Sequence, residues 1–75
     1  MKLTAVFEKT EDGYIAYIEE LPGANTQGRT IDEARQNLIE AVSLTLEANK
    51  HLAELELVGK NVTKEIIEIS SYEAA

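Results

Sequence analysis

The chain has no cysteine and no tryptophan, and only one histidine and one proline. Without cysteine there is no disulfide to staple the fold and no thiolate to hold zinc. The single histidine, His51, cannot build a His-rich metal site, and no serine stands beside it at a spacing that makes a nucleophile–base pair. No apolar run approaches the ~18 residues that a membrane helix needs. The first stretch, MKLTAVFEKTEDG, is broken by Glu8 too early for the apolar stretch of a signal peptide. These absences lead to the expectation of a cytoplasmic protein with no membrane contact. Basic residues are also scarce: seven Lys and Arg stand against 14 Asp and Glu, for a formal charge of −7. Phosphate recognition rests on clustered Lys and Arg, so no direct nucleic-acid binding is expected. An acidic surface suits solubility and docking to a basic protein.

Seventy-five residues make one domain, 1–75, and the 44% apolar content is that of a globular chain. Leu3, Ala5 and Phe7 alternate with Thr4, Val6 and Glu8, which predicts a strand. Asp12-Gly13 is a hairpin turn signal. GYIAYIEEL then reads as a second strand ending near Leu21, since Pro22 has no N–H for a ladder. It carries apolar groups on both faces, which places it centrally in its sheet. Thr26-Gln27 fits a short third strand, and Gly28 turns the chain toward a helix.

The helix start is marked by Thr30-Ile31-Asp32-Glu33, a capping box whose acids also complement the helix dipole. Ile31, Ala34, Leu38, Ala41, Val42, Thr45 and Asn49 share one stripe, with Asp32, Gln36, Glu40, Ser43 and Glu47 opposite. A second apolar row, Leu44, Ala48, Leu52 and Leu55, is displaced to one side. Two readings stand open for it: a helix curving around its own core, or an outer half packed on a second copy. A small core without disulfides favours oligomers in general, and this row is the expected oligomer contact. Gly59 is a natural stop, and KNVTKEIIEISS reads as a last strand before a frayed tail, YEAA. The expected fold is α+β, an antiparallel sheet with one long helix on one face, in the order β-β-β-α-β.

Chemistry is harder to place. Pro22-Gly23 and Gly28 match neither the P-loop nor the dinucleotide fingerprint, and Asp32 and Glu33 occupy the helix start where an anion would sit. The first strand offers no inward acid for a two-metal nuclease. No cofactor, no metal and no enzymatic activity are expected. Glu19, Glu20 and Pro22, where a loop can reach a partner, are the expected partner-binding residues.

Taken in order, Gly13-Tyr14, Leu21-Pro22-Gly23, Thr26-Gln27-Gly28, Thr30, Glu33-Ala34, Asn37-Leu38 and Glu40-Ala41 form a pattern. It resembles the HicB antitoxin family over roughly residues 3–47. The resemblance implies a partial RNase H-like fold without its nuclease centre, assembled as a dimer or tetramer. It further implies an antitoxin that binds and neutralises a small basic HicA-like toxin, an mRNA-cleaving protein. Many family members also carry a C-terminal DNA-binding domain, and the residues after Gly59 here are too few for a helix-turn-helix. The alternative expectation is a stand-alone oligomeric protein-binding or regulatory module with no toxin.

Overall fold

The computed structural model of the chain describes residues 2–69. The elements follow in the order β1 (Ala5–Lys9), β2 (Tyr14–Ile18), β3 (Asn25–Gly28) and α1 (Ile31–Glu56). They make an α+β fold, a three-stranded antiparallel sheet ordered β1-β2-β3 with one long helix against it. The apolar character of both faces of β2 is matched by its central place, paired to β1 on one side and β3 on the other. The hairpin closes where Thr10 N–H donates to the Gly13 carbonyl at 2.8 Å, with Lys9 opposite Tyr14.

Strand β2 stops at Ile18, three residues earlier than the sequence pattern predicts. The reason is the turn that follows. Ala24 N–H donates to the Leu21 carbonyl at 3.1 Å across Pro22-Gly23, and Gly23 takes φ of +96°. Proline at the second turn position and a positive-φ glycine at the third are what such a turn requires. Leu21 N–H already folds back to the Ile18 carbonyl, so Glu19 and Glu20 stand in a turn and not in the strand.

Thr30 caps α1, its hydroxyl accepting from Glu33 N–H at 3.1 Å. Asp32 and Glu33 sit in the first turn, and Arg35 pairs with Asp32 at 2.6 Å. The predicted stripe reaches the core through Ala34 and Leu38, both buried, and runs on half-buried through Ala41, Val42 and Thr45. Its two ends, Ile31 and Asn49, are exposed. The core is small: Ala16, Ile18, Ala24, Ala34 and Leu38, ringed by Leu3, Phe7, Tyr14, Leu21 and Val42.

The helix lies very close to the end of β3. A Cβ added to Gly28 would stand 2.5 Å from the backbone N of Ala34 and 2.8 Å from its Cα. Asn37 pins the same junction, its side-chain amide donating to the Gln27 carbonyl at 2.9 Å. Gly28→Ala therefore forces helix and strand apart. The expected cost is about 1–3 kcal/mol, read as a lower denaturation midpoint in urea. An unchanged midpoint would show that the junction has slack.

Beyond the sheet, α1 continues alone. Every residue from Leu46 to Glu56 is exposed. The second row is therefore not core within one chain: Leu44 is 65% exposed, Leu52 60% and Leu55 55%, and Ala48 is exposed too. The helix is continuous to Glu56, and Lys60 N–H donates to the Leu57 carbonyl in the turn that ends it.

Among the described residues the predicted last strand does not form. Residues 60–69 have no regular secondary structure and are exposed, and the rest of that segment lies outside the described residues together with the predicted frayed tail. A strand needs a ladder partner, and the long helix releases this segment far from the sheet.

Candidate protein-docking face

The period of two along β2 divides its side chains between two environments. Tyr14, Ala16 and Ile18 turn to the helix and join the core. Ile15 and Tyr17 take the opposite face, which no helix covers, and remain 39% and 41% exposed. Registry sets their neighbours. Val6 and Asn25 lie on either side of Tyr17, and Glu8 and Gln27 on either side of Ile15. Paired residues share a face, so Val6, Ile15 and Tyr17 form an apolar centre edged by Glu8, Asn25 and Gln27. A groove of about 460 Å³ runs along it between β2 and β3.

Glu19 extends this row. Its N–H donates to the Thr4 carbonyl at 3.0 Å, one register step past the Ala5–Ile18 pair. The apolar centre therefore has an acid beyond each end, Glu8 and Glu19. Three of the seven basic side chains are engaged within the chain: Arg35 with Asp32 and over the Phe7 ring, Lys9 over the Tyr14 ring at 5.0 Å, and Lys64 with Glu54 at 3.9 Å.

Of the residues expected to bind a partner, Pro22 and Glu19 are exposed in the turn after β2. Glu20 has other work. One carboxylate oxygen accepts from Thr4 N–H and the other from the Thr4 hydroxyl, both at 2.7 Å. This clamp ties the start of β1 to the end of β2. The Thr4 hydroxyl, and after it the Thr4 amide, hold the Glu20 carboxyl below the usual glutamate range. A carboxyl with a depressed folded pKa adds stability above its unfolded pKa and loses it as pH falls through the folded one. Thr4→Val should therefore raise the Glu20 pKa in an NMR titration of its side-chain carboxyl. The melting temperatures of the variant and the parent should converge as the medium is acidified below the ordinary glutamate range. An unmoved Glu20 titration in the variant would show that the clamp does not persist in solution.

A second groove, about 550 Å³, lies between the β1–β2 hairpin and the helix start, with Asp12, Arg29 and Glu33 in its walls. Among the described residues no three metal-binding side chains converge, and no helix is long and apolar enough to cross a membrane. His51 is exposed on the outer half of α1. The residues that reasoning from sequence passed over are Ile15 and Tyr17. Their signal was the two-faced apolar pattern of β2: with one side of a central strand covered, the apolar residues of its other side are left exposed.

Comparison with known proteins adds relatives at high coverage. A UPF0150 protein of Archaeoglobus fulgidus is 38% identical over 65 residues, covering 85% of this chain and 94% of the relative. A UPF0150 protein of Synechocystis is 43% identical over 68 residues, covering 89% and 88%. A third UPF0150 protein, from Thermoplasma acidophilum, is 43% identical over 51 residues, covering 67% and 74%. No family profile matches the chain, and no solved structure matches it.

Proposed function

The chain belongs to the UPF0150 family, and we propose, from its sheet face and its HicB-like motif order, that it is an antitoxin-type protein that binds and neutralises a small, basic, HicA-like mRNA-cleaving toxin. The observation that carries this reading is the helix-free sheet face. Its apolar centre, Ile15 and Tyr17, is exposed and lies between two acids on a chain of formal charge −7. Half-exposed aromatic and β-branched side chains at the middle of a patch, with charge at the rim, are what a protein interface uses. The acids attract a basic surface and speed the encounter, while the apolar centre sets how slowly the pair separates.

The motif order Gly13-Tyr14, Leu21-Pro22-Gly23, Thr26-Gln27-Gly28 and Glu33-Ala34 supports a HicB-like relationship, and with it a partial RNase H-like ancestry for the three strands and helix. In the structure these motifs serve geometry. They close the hairpin, turn the chain after β2 and seat the helix on β3. That leaves recognition to the sheet face.

The test is co-purification from the native host with a tagged chain. The expected result is a short Lys- and Arg-rich protein bound at a fixed ratio, released by high salt less readily than a purely ionic pair because of the apolar centre. Glu19→Lys should slow its association several-fold and leave dissociation nearly unchanged, as rim charges do. The substitution is confined to Glu19 because Glu20 holds Thr4. Recovery of the chain alone, under conditions that preserve complexes, would favour the stand-alone binding module instead.

A further inference from the structure

We propose that residues 60–69 form a strand on the sheet of a second copy of this chain, added along the free edge of its β1. This exchange is independent of the toxin reading above. The segment has strand chemistry and no strand partner. Ile66 is 99% exposed, Ile67 69%, Ile69 63% and Val62 46%. Branched residues of this kind fit a pleated, half-buried surface. The complementary feature is β1, an edge strand in the order β1-β2-β3. The outward N–H and C=O groups of an edge strand are a template for pairing.

Reach decides between the chain's own edge and that of another copy. Thr45 marks where the helix passes the Pro22-Gly23 turn, since its Cγ2 would lie 3.7 Å from a Cβ on Gly23. Glu54 is nine residues further out, about 14 Å along the axis. In the structure Lys64 is still at that level, its Nζ 3.9 Å from the Glu54 carboxylate. From there residues 65–69 extend at most ~18 Å. That length returns residues 65–69 to the near end of their own sheet, so among the described residues Ile66, Ile67 and Ile69 are spent before they can lie along β1. The dimensions agree: the radius of gyration is 15.8 Å, against about 11 Å for a compact chain of this length. The described residues of a single copy do not close into a compact body.

A second copy has what is needed. With Ile66 beside the partner copy's counterpart of Val6, alternation sends Ile67 and Ile69 to the helix side, toward Ala5 and Phe7. Lys64 and Glu68 share the face of Ile66, so the charges favour the antiparallel direction, which sets Lys64 opposite Glu8, over the parallel one, which would set Glu68 there. The exposed apolar residues of this segment, with Val58 beside them, offer a contact surface that the chain itself leaves unused. Exchange is mutual in a two-fold dimer. Each docking face would then gain the other copy's Ile66 next to Val6.

The chain has no cysteine, so introduced ones report pairing directly. Chains of two tag lengths are made, one carrying Ile66→Cys and the other a cysteine at position 4, 6 or 8. They are unfolded together, refolded and oxidised. The expected result is a disulfide-linked pair of unlike tags for at least one position, and light scattering of the parent at a multiple of 8.3 kDa. Ile66→Asp with Ile67→Asp should lower that mass to one chain and keep the helical circular dichroism. Three outcomes would overturn the proposal. One is no unlike-tag crosslink at any of the three positions. Another is a monomeric parent whose doubly substituted chain closes an intrachain disulfide. The third is a dimer abolished by Leu52→Glu yet untouched by the Ile66/Ile67 changes, which would mean that the helix row alone joins the copies.

Discussion

Leu38→Ala should leave the chain largely unfolded at room temperature. Leu38 is 3% exposed, and with Ile18 it is one of only two large side chains in the buried cluster, where the other three members are alanines. Truncating a buried leucine costs about 2–5 kcal/mol through lost transfer energy and the cavity left behind. A core of this size rarely supplies more than ~3–5 kcal/mol, so one substitution removes most of the margin. Ala34 cannot move in to fill the gap, because it already lies against Gly28 at backbone contact. Loss of the far-ultraviolet helical signal and of cooperative melting would be the observed result. A cooperative transition shifted by only a few degrees would show that the stability resides elsewhere, in the assembly and not in this core.

The second large effect concerns binding and leaves the fold alone. Tyr17→Thr keeps a strand-favouring residue between Val6 and Asn25. It removes the aromatic side chain from the centre of the helix-free face. Aromatic anchors of this kind are worth ~2 kcal/mol or more at an interface, which corresponds to roughly 30-fold in affinity. The loss should appear mainly as faster dissociation from the basic partner, with melting little changed. An equal loss produced by a helix-face substitution such as Glu40→Lys, with Tyr17→Thr silent, would move the docking surface to the helix.

Most of the architecture was legible in the residues themselves. Asp12-Gly13, Pro22-Gly23 and Thr30 each impose local geometry through a single chain segment, and each acts where the sequence placed it. The alternation in β1 and β2 and the stripe through Ala34 and Leu38 follow from periods fixed by backbone geometry. What failed was of another kind. The end of β2 was misplaced because the chain already turns at Ile18, where Leu21 N–H folds back to the Ile18 carbonyl, before the proline that marks the next turn. The last strand was predicted from its branched residues, but a strand is a property of two segments, and the helix carries this one away from any edge in its own chain. The proposed docking face was passed over although one side of β2 was expected to be uncovered, because Ile15 and Tyr17 read from sequence as strand formers, and strand propensity does not report what binds a face.

The central claim is that this chain silences a basic RNA-cleaving partner by covering it. The measurement that tests it most directly is cleavage of a labelled mRNA by a HicA-like toxin encoded beside this chain, titrated with the purified full-length protein. The account predicts that cleavage falls linearly to nothing at a fixed molar ratio, and that Tyr17→Thr shifts the curve to much higher concentration. Undiminished cleavage at tenfold excess of a folded chain would contradict it.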